Sequence, residues 1–115
     1  MDFFAKLSAV CPTIMGAGAL TCWSDCPAGW ENLVTDISRR LEIHARQHNQ
    51  ALTVDQIKSK FGQLRYYVSA SDPIADQMIE EAEQKSITIC EECGAPGVRN
   101  RSRKWIMTVC EQHNC

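Results

Sequence analysis

The sequence predicts a small α+β protein: a single domain of helices packed on a short antiparallel sheet, with a C-terminal zinc ribbon. Three observations carry that expectation. A helical apolar period starts at Trp30, and an alternating apolar pattern surrounds a glycine turn at Gly62. Near the C-terminal end, Cys90 and Cys93 form a C-x-x-C pair, and Cys110 and His113 a C-x-x-H pair. At 115 residues, 44% hydrophobic and 23% charged, the chain has the size and composition of one soluble globular domain, 1–115. Its expected parts are an irregular or helical segment at 1–29, a helix–hairpin–helix core at 30–86 and the ribbon at 87–115.

Residues 2–10 suit a short helix with Phe3, Phe4, Leu7 and Val10 on one side, ended by Cys11-Pro12. Gly16-Ala17-Gly18-Ala19 has loop composition, and Thr21 to Gly29 is too rich in Cys, Trp, Asp and Pro to be regular. From Trp30 the residues Leu33, Val34, Ile37, Leu41, His44 and His48 fall at steps of three and four, predicting a helix over about 30–48. Arg39, Arg40, Glu42 and Arg46 fill its remaining faces.

A β-hairpin follows at 52–59 and 63–70, turning at Lys60-Phe61-Gly62. The alternation puts Tyr66 and Tyr67 on opposite faces, one in the core and one on the surface. Asp72-Pro73 is a helix start, with Asp72 as N-cap and Pro73 in the first helical position. Ile74, Met78, Ile79 and Ala82 give that helix its apolar stripe to about Lys85, while Glu80, Glu81 and Glu83 read as its wet face. Ile87-Thr88-Ile89 and Arg103 to Val109 read as extended segments around the ribbon.

Cys90, Cys93, Cys110 and His113 have the spacing of structural zinc ligands, with Gly94 where a tight metal-binding turn needs positive φ. The competing readings are four independent residues or two disulfides. Three thiolates and an imidazole fill a tetrahedral zinc and leave no position for water, which favours a structural ion over a hydrolytic one. Seven cysteines is an odd count, and no good signal peptide precedes them: Asp2 sits where positive charge is wanted, and Pro12 interrupts the apolar stretch. No run is long enough to span a membrane. These features predict a reducing compartment, the cytoplasm, with no role assigned to Cys11 or Cys115.

Cys22, Cys26, His44 and His48 form a second candidate ligand set, C-x3-C and H-x3-H. The bland alternative is two half-exposed histidines ending an apolar stripe and two small core cysteines. Arg99, Arg101, Arg103 and Lys104 cluster between the two ribbon pairs beside Trp105, and they can contact phosphate or simply be solvated. Arg65 and Tyr67 are further candidates for a partner surface. A net charge of −2 argues against a general polyanion binder. No nucleophile–base spacing and no phosphate-cradling glycine loop is present, so no catalytic residue is assigned.

Several stretches together resemble a family of small phage and prophage proteins. They are Cys26-Pro27-Ala28-Gly29-Trp30, residues 58–67 (Lys58 to Tyr67), Ala82-Glu83-Gln84-Lys85-Ser86, residues 90–97 (Cys90 to Gly97) and residues 105–113 (Trp105 to His113). The likeness spans about three quarters of the chain. It implies a C-terminal zinc ribbon and supplies no activity. Cys11, Cys22 and Cys115 fall outside the family pattern. The expectation is a non-enzymatic, zinc-stabilised phage or prophage accessory protein of the bacterial cytoplasm. It would bind a host bacterial protein, with antagonism of a defence system one form of that role. The alternative is a nucleic-acid-binding zinc ribbon in phage regulation or replication.

Overall fold

A computed structural model describes residues 3–15, 24–100 and 106–113. Helix α1 (Phe3–Val10) buries Leu7, and the turn after it buries Cys11, Ile14 and Met15. That turn is held by Glu42. Its carboxylate accepts the Thr13 and Ile14 amides at 3.1 and 3.0 Å and the Arg46 Nε–H at 2.6 Å. The sequence pattern placed Glu42 on an outer face, yet it is buried. Burial opposes its charge, but the hydrogen bonds from Thr13, Ile14 and Arg46 outweigh it and hold the carboxyl below its usual range.

A 3-10 turn (Ala28–Trp30) leads into helix α2 (Glu31–Gln47). The predicted stripe is the core: Trp30, Leu33, Val34, Ile37 and Leu41 are all buried, with Ala45 continuing the line. The helix exits through Asn49, in the left-handed region at φ 49°.

Strands β1 (Thr53–Lys60) and β2 (Gln63–Ser69) pair antiparallel, with a bulge between Val54 and Gln56. Phe61 and Gly62 connect them with φ of 55° and 78°, the left-handed pair that a two-residue turn matched to strand twist requires. The inner face carries Val54, Ile57, Leu64 and Tyr66, all buried, and Tyr66 shares a 2.8 Å hydroxyl–hydroxyl bond with Ser38 of α2. The outer face carries Lys58, Lys60, Arg65 and Tyr67. Tyr67 is 42% exposed, so the two tyrosines divide between core and surface as the alternation predicts.

Helix α3 (Pro73–Ser86) starts at Asp72, whose side chain accepts the Ala75 amide at 2.7 Å. The same carboxylate bonds His44 Nε2 at 2.9 Å and the Gln50 amide nitrogen. The Ala75 amide first, then His44, holds the Asp72 carboxyl down at about 2. His44 is therefore a buried tie between α2 and the α3 cap, not the half-exposed end of a stripe.

Helix α3 also closes the open edge of β2. Glu83 accepts the Tyr66 amide at 3.0 Å, and Ser86 Oγ accepts the Leu64 amide at 2.9 Å. Glu83 thus belongs to the sheet edge rather than to a wet face.

Beyond α3, residues 87–88 turn instead of extending, because the Thr88 and Ile89 amides bond back to Lys85 and Ser86. Ile89 makes a single bridge to Pro96. Strands β3 (Val98–Asn100) and β4 (Met107–Val109) pair antiparallel, and a 3-10 turn (Glu111–His113) ends the described chain. The strand expected over 103–109 is therefore observed only as β4, since residues 101–105 lie outside the described ones. Among the described residues no helix is long and apolar enough to cross a membrane.

Leu41 is fully buried at the centre of the α2 face. Leu41→Ala is expected to destabilise the protein by about 2–5 kcal/mol, read from the denaturation midpoint. A loss under about 0.5 kcal/mol would instead mean the α2 stripe lies on a surface.

Candidate metal centre

The ribbon's two tight turns bring Cys90, Cys93, Cys110 and His113 together, with all four donor atoms within 4.8 Å of one another. Cys90 Sγ lies 3.6 Å from His113 Nδ1, Cys93 Sγ 3.6 Å from Cys110 Sγ, and Cys110 Sγ 3.1 Å from His113 Nδ1. Zinc–sulfur bonds of about 2.3 Å at tetrahedral angles separate sulfurs by about 3.8 Å. The cluster therefore fits a metal ion such as zinc, with the Cys110–His113 pair slightly tight. All three cysteines are free thiols, so the two-disulfide reading falls.

Local backbone geometry aims the ligands. The Gly94 amide donates to Cys90 O at 2.9 Å, closing the C-x-x-C turn, and Gly94 has φ 81° as the spacing predicts. The His113 amide donates to Cys110 O at 3.1 Å and swings the imidazole back over Cys110. At Cys90, burial opposes the thiolate. Hydrogen bonds from the Cys110, Cys93 and Glu92 amides outweigh that burial and bring the thiol down to about 6. Cys110 is lowered too, because its hydrogen bonds with His113 overcome burial, and the Cys110 sulfur in turn raises His113. Cys93 moves the other way: the Ala95 amide lowers it, but burial and the Cys110 and Cys90 sulfurs outweigh that and raise the thiol, as crowding several sulfurs into one site does.

Gly29, Trp30 and Glu91 fix this site to the rest of the protein; the sequence pattern gave Trp30 only a place in the α2 stripe and the other two no role. A Cβ on Gly29 would stand 2.0 Å from Cys90 O and 2.7 Å from Gly94 N, so the 3-10 turn lies directly on the C-x-x-C backbone. The Gly29 amide donates to Glu91 O at 2.8 Å, and the Trp30 indole donates to Ile89 O at 2.9 Å. Glu91, inside the C-x-x-C, is buried. It accepts from Ser59 Oγ at 2.8 Å and the Thr108 amide at 2.7 Å, joining β1, β4 and the metal turn. Glycine and proline before Trp30 signalled a tight turn, but nothing local signalled its partner some sixty residues away.

The second candidate set does not assemble among the described residues. His44 is taken by Asp72, and the Cys26 thiol donates to Pro27 O at 3.5 Å. Burial first, then Glu31 and Asp25, pushes Cys26 up to about 12, which disfavours the thiolate that a metal needs. Cys22 and Cys115 lie outside the described residues, as do Arg101, Arg103 and Lys104. Arg99 is described: its Nε–H donates to Phe61 O at 2.7 Å, at the tip of the β1–β2 hairpin. Arg65 and Tyr67 lie on that hairpin's outer face. The structure thus brings Arg99 toward the hairpin that carries Arg65 and Tyr67. Comparison of the chain with protein-family models, curated proteins and solved structures finds no match.

Purified without added metal, the protein is expected to contain one zinc per chain by elemental analysis. A strong chelator should remove the ion and unfold the ribbon. A value well below one with full secondary structure would exclude the metal, and a His113→Ala variant that keeps its zinc would replace His113 as a ligand. Gly29→Ala is expected to destabilise by at least about 1–3 kcal/mol and to weaken zinc retention, because backbone rather than a mobile side chain occupies the space. Unchanged zinc retention and stability in that variant would show that the turn does not press on the site.

Proposed function

We propose that this chain is a non-enzymatic binding protein whose ribbon is built around zinc. The carrying observation is the closed donor set, three sulfurs and one imidazole within 4.8 Å, which fills tetrahedral zinc and leaves no position for a reacting water. Buried Cys11 and half-buried Cys26 support the same reading. Burial raises Cys11 to about 11 and Cys26 to about 12, which suits packing and not nucleophilic attack.

In its finer form the protein is a phage or prophage accessory factor of the bacterial cytoplasm that binds a host protein, including one of a defence system. That form rests on the resemblance of its sequence. One observation favours a second reading, a nucleic-acid-binding ribbon: Arg99 is anchored beside the cationic face of the hairpin.

Zinc-loaded protein used as bait in bacterial lysate separates these readings. Capture of one host protein, unchanged by nuclease, supports the first. Recovery of nucleic acid, with nuclease releasing any protein that comes with it, supports the second. Catalytic turnover that needs zinc and survives removal of both partners would overturn the non-enzymatic reading.

A further inference from the structure

Residues 56–71 and 93–110 contain no acidic residue. Between them they hold seven of the 12 Lys and Arg residues in a protein of net charge −2. The fold brings the described residues of these two stretches together at the hairpin tip. Arg99 donates to Phe61 O at 2.7 Å, and Thr108 Oγ donates to Gly62 O at 2.6 Å, so the hairpin tip is seated on the ribbon. A Cβ on Gly62 would meet Met107 and Thr108 backbone at 3.1 and 3.2 Å, which shows how closely the tip is seated.

On the outer face of the hairpin, Lys58 stands directly across from Arg65. Like charges opposite one another in a sheet destabilise it, and no ion pair to Lys58, Lys60 or Arg65 occurs among the described residues. Lys58 lies 5.8 Å from the Tyr67 ring centre, and Lys60 5.7 Å from that of Phe61. Phe61 is 58% and Tyr67 42% exposed. Cations interleaved with open aromatic faces suit phosphates alternating with unstacked bases. A duplex keeps its bases stacked inside and offers such rings little. Lys58 and Phe61 also line a groove that Asp25, Glu91 and Glu92 share, and these acids bound the basic strip there.

Taking the chain as a zinc-built binding protein, we infer that the outer face of the β1–β2 hairpin and the adjoining ribbon bind single-stranded nucleic acid. Lys58, Lys60 and Arg99 hold the phosphates, and Tyr67 and Phe61 stack bases. Arg65 shares its field with Glu83 and contributes less.

The test is fluorescence anisotropy with labelled oligothymidine and oligouridine of about twenty nucleotides, against a duplex of equal length. Zinc content is measured on every sample. The single strands are expected to bind more tightly than the duplex. The log–log salt slope should be about −2 for three phosphate contacts at about −0.7 each. Lys58→Gln with Lys60→Gln should bring that slope to about −0.7, and Tyr67→Ala should weaken binding about ten-fold, with zinc content unchanged in both. Zinc-loaded protein that shows no salt-sensitive binding overturns the inference and leaves the binding-protein reading standing. So does nuclease-resistant capture of a protein that Tyr67→Ala abolishes, which would give this face to a protein partner. Protein that folds fully without zinc overturns the underlying reading instead.

Discussion

Gly29 lies so close to the Cys90–Glu91 backbone that no side chain fits between them, and much of the molecule meets at that contact. The turn containing Gly29 starts α2 and therefore sets where Trp30 and the rest of the core face enter. On the other side, residues 89–91 accept from the Trp30 indole and the Gly29 amide. Glu91 then reaches Ser59 of β1 and Thr108 of β4. A buried carboxylate is tolerable only when donors surround it, and here the donors come from both halves of the chain. The metal turn is thus built into the wall of the main core.

The sheet needs such partners. Two strands alone are marginal in water, and each presents an open row of amides and carbonyls. Here side chains and loops satisfy both edges. On β1, the Ile57 amide bonds Ser24 Oγ, Ile57 O accepts the Asp25 amide, and the Val54 amide reaches Ile14 O. On β2, Glu83 and Ser86 of α3 do the same work. On β2 these bonds use alternate residues, Leu64 and Tyr66, and on β1 Val54 and Ile57 on either side of the bulge, so they fix register as well as edge. Ile57 and Tyr66, which point inward, are the residues whose backbone faces out along the sheet plane.

The features legible in the sequence were those set by local periodicity or spacing. The α2 stripe, the split of Tyr66 from Tyr67, the Asp72 cap with Pro73, and the four metal donors each follow from residues close together in the chain. Contacts between distant segments were not legible. Glu42, Glu83 and Glu91 look like solvent-facing carboxylates by pattern, because an acid buried by amides from elsewhere has the same local surroundings as an exposed one. His44 misled in the same way, since its partner Asp72 lies across the fold. Ile87–Ile89 is β-branched and reads as a strand, but the end of α3 recaptures its amides before a strand can form.

A division of labour follows from the packing. Among the described residues the main core gathers eighteen buried apolar side chains, whereas the ribbon's own cluster is Cys90, Val109 and Cys110, with Met107 against it. Three small buried side chains cannot offset the conformational entropy of ordering the segment beyond α3, and two of the three are metal donors. Order in the ribbon therefore draws on its seams with the hairpin tip and the Gly29 turn, and an ion held by the four clustered donors would add to it. The first of those seams includes the Arg99 bond to Phe61 O, next to Lys60 in the chain. Metal binding by the four donors would therefore also steady the ribbon strand that carries Arg99, while Tyr67 stands on a hairpin whose inner face is packed in the main core. If the four donors hold an ion, its removal would loosen the strand that carries Arg99 and leave Tyr67, on the hairpin, in position.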